Sequence, residues 1–312
     1  MNAGSTERSL VLGAYSGLPA RFVEPFAASL RATEFKGSFC IVAGRCEPQE
    51  RARLEALADS VIDADPEYPD ERRIARTLLA RLRRTRGLRR VYAPTFKAVA
   101  RGTSFRTWSS LEYHLEGLQA LRYRHYHRII LEREPAPDFV LLTDLRDVVF
   151  QRDPFADRVD GLELFFEDAS VRFGEDHFNT RWIRDVYGHA QLDRMRGNPV
   201  SCSGTVVGTR QAMLAYLAEM IGQIALQRGP IGSRDQAVHN VLIASGRLPS
   251  ALLVRNGYGR VLTLGAMKTF ELASDGKVLN ADGSVPAVLH QWDRHRALAA
   301  RVERPPAVSL AP

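Results

Sequence analysis

The sequence predicts an α/β domain with a mainly parallel central sheet flanked by helices, and three observations carry that prediction. Short apolar runs alternate with segments of helical spacing through the first sixty residues, which is the pattern of βαβ units. Phe139–Thr143 is apolar almost throughout, as a central strand buried on both faces requires. The chain has 312 residues, 45% hydrophobic and 25% charged, which suits a folded core in one large domain or two smaller ones. No internal repeat or long linker interrupts it, so a single domain is expected.

Residues 10–15 form the first predicted strand, and 19–33 follow with helical spacing. Residues 38–43 (SFCIVA) repeat the strand signal, 47–58 read as a charged amphipathic helix, and 60–64 as a third strand. Pro66, Pro69 and Pro94 punctuate 65–100, where 72–84 is expected to be an exposed helix. The longest helical pattern, 108–133, places Leu111, Leu115, Leu118, Leu121 and Ile129 on one face, and Pro135 and Pro137 stop it. Beyond the strand at 139–143 come a strand at 162–166, a polar excursion over 167–198 and a return strand at 203–208. Helices are expected over 211–227 and 235–245, late strands over 252–255 and 287–290, and a turn-rich hairpin or loop over 274–286. Residues 1–8 and 305–312 read as flexible ends.

Lys plus Arg outnumber Asp plus Glu by 43 to 36, which favours anionic partners such as a nucleotide diphosphate, acidic lipid or nucleic acid. The charge is dispersed except at 81–90 (RLRRTRGLRR), which reads either as a solvated helix end or as an anion or membrane patch. That cluster lacks the interleaved aromatics or the module of a nucleic-acid binder, so no nucleic-acid partner is expected. Cys40, Cys46 and Cys202 have neither metal-knuckle spacing nor an even disulfide framework, and read as reduced thiols of a cytoplasmic protein. No run approaches the ~20 apolar residues of a bilayer span, and the N-terminus lacks a signal-peptide layout, so membrane contact is expected to be peripheral at most.

Residues 138–155 read DFVLLTDLRDVVFQRDPF. Here an apolar strand delivers Asp144 and Asp147 at its carboxyl end, the edge where α/β sheets bind ligands. Two carboxylates emerging together repel unless a cation sits between them. A divalent metal satisfies this, since Mn²⁺ and Mg²⁺ prefer oxygen ligands and take further positions from phosphates. Arg146 offers the alternative of a structural ion pair, and spacing alone leaves both readings open.

TDLRDVVFQRDPF resembles the metal-binding strand end of GT-A-fold nucleotide-diphospho-sugar glycosyltransferases, whose signature is Asp-x-Asp. The carboxylates here are three apart, so Asp147 aligns with the family's second Asp and Asp144 supplies the other from one residue further back. Three more segments follow in the family's order. CSGTVVG (202–208) resembles the strand lining the acceptor side, with Cys202 where Asn is common. SRDQAVHN (233–240) resembles the helix start facing the sugar, and VLHQWDRH (288–295) resembles a late segment whose His is a third metal ligand in several retaining families. Together they span about half the chain.

The resemblance implies a GT-A catalytic domain over 9–304, with a nucleotide-sugar half (9–147) and an acceptor half (148–304). It implies Mn²⁺ or Mg²⁺ held by Asp144, Asp147 and His290, with His295 the substitute for the last. Asp235 is expected at the donor-sugar hydroxyls and Gln236 near the anomeric carbon; the competing reading has Ser233 capping a helix whose dipole Asp235 complements. Ser203, Gly204 and Gly208 either line a ligand or simply accommodate a strand. Tyr15 and Ser16 are expected at the nucleoside, and Arg122, Arg124, Arg146 and Arg294 at the diphosphate, where a guanidinium matches phosphate oxygens. Glu167 and Asp168 are candidates for acceptor contact or base; an inverting reaction would draw its base from Asp168, Asp176 or Asp235. The implied partners are a nucleotide-sugar donor, UDP-sugar favoured, and a glycan or lipid-linked acceptor, with retention favoured. The alternatives are a catalytically silent domain that binds a glycan or partner, and a nucleotidyltransferase, although GAYSGLPARF has little of a phosphate loop.

Overall fold

The computed structural model describes residues 8–15, 17–44, 46–64, 117–227 and 231–302. Ser16, the arginine cluster at 81–90, the helix expected at 72–84, the first part of the 108–133 helix, residues 1–7 and the end expected over 305–312 lie outside these residues, whereas Arg8, expected in the flexible N-terminus, donates its N–H to Asp138 Oδ2 at 2.8 Å.

Strands β1 (Ser9–Tyr15), β2 (Ser38–Ala43), β3 (Ser60–Asp63) and β4 (Phe139–Thr143) are parallel and lie side by side as β3-β2-β1-β4. After β4, the short strand β5 (Val148–Phe150) leaves this sheet. Strands β6 (Leu162–Phe166), β7 (Ser201–Thr209) and β8 (Ala251–Val254) complete it in the order β4-β7-β6-β8. Only β7 is reversed, pairing antiparallel with both neighbours, so six of the seven strands end at the same edge. The α/β class and the mostly parallel, helix-flanked sheet are as the sequence predicts.

Alternation along the strands divides the core into two layers. Leu10 and Leu12 of β1 pack with Tyr123, Tyr126 and Ile130 of α3 (Leu118–Glu132) and with Met213, Tyr216 and Leu217 of α6 (Arg210–Leu226). Val11 and Tyr15 face the other way, towards Phe26 and Leu30 of α1 (Glu24–Ala32) and Leu54 of α2 (Pro48–Leu57). Each such buried side chain contributes about 1.5–3 kcal/mol of transfer free energy. The second layer is closed by a small sheet in which β12 (Val288–His290) lies between β5, antiparallel, and β9 (Val261–Thr263), parallel. A two-stranded ribbon, β10 (Glu271–Leu272) with β11 (Val278–Leu279), stands beside it.

One expectation needs correction and three gain detail. The helix over 19–33 is broken: a 3-10 turn at Ala20–Phe22 precedes α1, whose first turn carries Pro25, a residue that starts a helix well and cannot sit inside one. The polar excursion over 167–198 contains α4 (His177–Tyr187) and α5 (His189–Met195); Asp176 caps α4 by accepting the Asn179 N–H at 2.7 Å. The strand over 287–290 belongs to the small sheet, not the central one. The hairpin or loop expected over 274–286 is a hairpin that starts earlier, with β11 paired antiparallel to β10. The remaining helices are α7 (Asp235–Ala244) and α8 (Arg296–Val302). Among the described residues no helix is long and apolar enough to cross a membrane.

Candidate metal centre and the clefts beside it

The Asp144 N–H donates to the Gly204 carbonyl at 2.8 Å, which holds the turn after β4 against β7. Leu145 then folds back over Gly13 of β1, where any Cβ would collide with its side chain. The turn ends at Asp147, whose carbonyl accepts the Gln291 N–H at 2.6 Å. Because Val148 pairs with His290 in the small sheet, Asp147 and His290 arrive together. Gln291 has a left-handed backbone (φ 58°), so the chain turns away immediately after His290.

Asp144, Asp147 and His290 each offer one ligand atom, and these atoms lie within 4.8 Å of one another. His290 Nε2 is 3.8 Å from Asp147 Oδ1 and 3.9 Å from Asp144 Oδ2. The imidazole is 1% exposed, yet its Nε2 has no hydrogen-bond partner among the described residues. Its Nδ1 is 3.6 Å from Cys202 Sγ, which also receives the Gly204 N–H at 3.4 Å. Burial pushes the Asp147 carboxyl above its usual range; His290 opposes that shift and the Asp144 charge adds to it. Gly204 has no room for a side chain, since a Cβ there would lie 2.5 Å from Asp144 Oδ2.

Two hard carboxylate oxygens and an imidazole nitrogen, one of them an orphaned buried atom, form a cluster that can hold a metal ion. The Asp144 side chain is 38% exposed, which leaves an open side for water or substrate oxygens. Arg146 does not occupy the centre. Its guanidinium is half exposed and bridges the outer oxygen of Asp147 to Asp293, at 3.5 Å each, so the ion pair with Arg146 exists beside the cluster and not in place of it.

The other predicted residues fall into three groups. Arg122 is buried and donates to Asp144 Oδ1 at 2.8 Å and to Asp235 Oδ2 at 2.7 Å, while the Tyr123 hydroxyl donates to the same Asp235 oxygen at 2.7 Å. Asp235 thereby fixes the arginine that fixes Asp144. Gln236 donates to Glu167 Oε1 at 3.0 Å and Asn179 Oδ1 at 2.8 Å, and its own oxygen accepts the Ser203 N–H at 3.4 Å. Burial raises the Glu167 carboxyl above its ordinary value, against the pull of His290, Gln236 and the nearby Arg294 charge. The third group stands apart from the cluster. The Tyr15 ring lines the neighbouring cleft but is buried, with its hydroxyl donating to the Leu18 carbonyl. His295 Nε2 lies 2.8 Å from the Leu264 carbonyl, and Asp168 Oδ1 accepts from both Ser170 N and Oγ.

Strand order places two clefts along the edge where these residues emerge. A cleft of ≈ 240 Å³ lies over the ends of β1 and β4, walled by Tyr15, Leu18, Phe22, Arg122, Arg146 and both aspartates. A second, of ≈ 830 Å³, lies over the ends of β6 and β8 and includes Glu167, Asp168 and Tyr258. The cluster stands between them, at β4 and β7. Sequence reasoning missed Phe22, Cys202 as the partner of His290, and the whole far wall of the larger cleft. An aromatic inside the glycine-flanked turn Asn256-Gly257-Tyr258-Gly259 was the available signal for that wall. No family model matches the chain, and no curated protein matches it.

Proposed function

We propose that the chain is a metal-dependent glycosyltransferase of the GT-A type, which moves a sugar from a nucleotide diphosphate sugar, a UDP-sugar first, to a hydroxyl acceptor. One observation carries the reading: segments distant in sequence, at 144–147, 203–204 and 290, meet around the unpartnered His290 nitrogen, and 235–236 is tied to them through Arg122 and Ser203. These are the segments through which the sequence resembles that family.

Asp144, Asp147 and His290 would hold Mn²⁺ or Mg²⁺, which when bound supplies Lewis-acid neutralisation of charge on the departing diphosphate. Arg122, locked by Asp235 and Tyr123, keeps Asp144 oriented and adds fixed positive charge at the smaller cleft. Arg146, at that cleft's rim, is free to exchange its weak contacts for phosphate oxygens. Half-exposed Leu18 and Phe22 give the nucleoside an apolar wall. Among the carboxylates considered as a base, Asp176 caps α4 and Asp235 is held by Arg122 and Tyr123. Glu167, steadied by Gln236, and Asp168 remain at the acceptor side, and retention of configuration stays the favoured course. The acceptor is a glycan or lipid-linked hydroxyl, met in the cytoplasm or at a membrane surface.

A hydrolysis and binding screen over UDP-, GDP- and other activated sugars with Mn²⁺ tests this. Metal-dependent turnover is expected for at least one donor, and Asp147→Asn should lower it by about 100-fold or more, as loss of a metal ligand does. Silence with every donor, or an Asp147→Asn variant that works normally, would sink the proposal.

A further inference from the structure

We infer that the larger cleft, over the carboxyl ends of β6 and β8, binds a neutral saccharide chain. As the seat of the second substrate it rests on the glycosyltransferase reading; as a saccharide site it stands on its own walls.

Its size suits a small ligand. At ≈ 830 Å³ it falls within the range of small-molecule pockets, about 300–1,000 Å³, and exceeds the neighbouring cleft of ≈ 240 Å³ more than threefold. Its inner end is built into the candidate centre. Glu167 lines the cleft and is tied through Gln236 to Ser203, one residue before the Gly204 that touches Asp144.

The walls specify the chemistry. Tyr258 is 49% exposed, and the Arg255 guanidinium lies 5.1 Å from its ring centroid, so one face is backed by a cation and the ring is steadied. Phe270 supplies a second ring, itself fixed edge-on against His295 at 5.1 Å. Flat, steadied rings in a cleft that also carries charged side chains suit the C–H face of a pyranose. The same cleft is lined by acceptors and donors for hydroxyl groups: Asp168, held in place by Ser170, with Glu271 and Arg172. The two arginines are balanced by three acids, Glu167, Asp168 and Glu271, so the cleft has no excess positive charge for an anionic headgroup.

The experiment probes the full chain on a glycan array, then measures the best neutral oligosaccharide by saturation-transfer NMR and titration, without donor or metal. Binding is expected, weakened about tenfold by Tyr258→Ala and less by Arg255→Ala, since the ring supplies the stacking face and the guanidinium only steadies it. Both positions are exposed, so the melting temperature should hold and certify the fold. An array silent for neutral glycans, binding confined to polyprenyl-phosphate vesicles, or full affinity in both variants overturns the inference. UDP and GDP titrations with Mn²⁺ on the same protein separate the two readings. Saccharide binding without nucleotide binding leaves this inference standing and removes the transferase; nucleotide binding without saccharide binding does the reverse.

Discussion

His239 and His290 are 0% and 1% exposed and sit on opposite faces of β7, one against Ser201 and the other against Cys202. Both nitrogens of His239 are matched, to the Tyr216 hydroxyl and to Ser201 Oγ, each at 2.9 Å. Burial, with the Arg122 charge behind it, pushes its pKa down to about 3, so the ring is neutral and finished. His290 has one nitrogen against a thiol and the other facing two carboxylates with no partner. An unpaired buried nitrogen costs about 1–3 kcal/mol. Histidine identity and burial are the same in the two cases; only the unfilled bond distinguishes a structural ring from one built to receive something.

The largest effect should come from the ligand side of this contrast. His290→Ala is expected to weaken Mn²⁺ binding by about 100-fold or more, whereas His239→Ala should shift it by no more than about twofold. Calorimetric titration reads both, and equal losses would erase the distinction. Stability should rank the other way. His239→Ala leaves a cavity and takes one hydrogen-bond partner each from Tyr216 and Ser201, and should cost about 2–4 kcal/mol in urea unfolding, clearly more than His290→Ala.

Acid sharpens the same contrast. The unfolded chain protonates His239 near the ordinary pKa of 6.5, while the folded chain does so only near 3. Its contribution is therefore complete above pH 6.5 and falls by up to about 1.4 kcal/mol per pH unit as pH drops through that window. His239→Gln should flatten this slope in urea midpoints taken at pH 7, 6 and 5; an unchanged slope would mean that His239 is not the group responsible. The smallest effect belongs to Arg146→Ala. Its half-exposed ion pairs should be worth less than about 1 kcal/mol of stability, and a larger loss would return weight to the ion-pair reading of Asp147.

Local pattern made β2, β4 and β6 readable, because β2 and β4 are nearly continuous apolar runs and β6 is broken only by Glu163. It also marked the Asp144–Asp147 corner, since a strand end carrying two acids is a local feature. The small sheet was only partly readable: β5 and β9 have three residues each, too few to show a period. The reversal of β7 left no trace, because strand direction is set by partners far away in the chain. Asp235 was expected at a sugar because SRDQAVHN resembles the family's helix start, while its actual bonds go to Arg122 and Tyr123, more than a hundred residues earlier. Such pairings are properties of the folded chain and have no spacing to read.

The hydrogen bond from the Gln291 N–H to the Asp147 carbonyl seams the small sheet to the turn that follows β4. Asp144 belongs to the central sheet's edge and His290 to the small sheet, so a cation shared between them would make sheet-to-sheet docking a function of free metal concentration. By mass action, a hundredfold excess over the dissociation constant adds about 2.7 kcal/mol to the folded state. Chelator should then lower the melting temperature, and a partly loaded preparation should melt in two steps. The heat resistance of this protein would be set by its buffer as much as by its sequence.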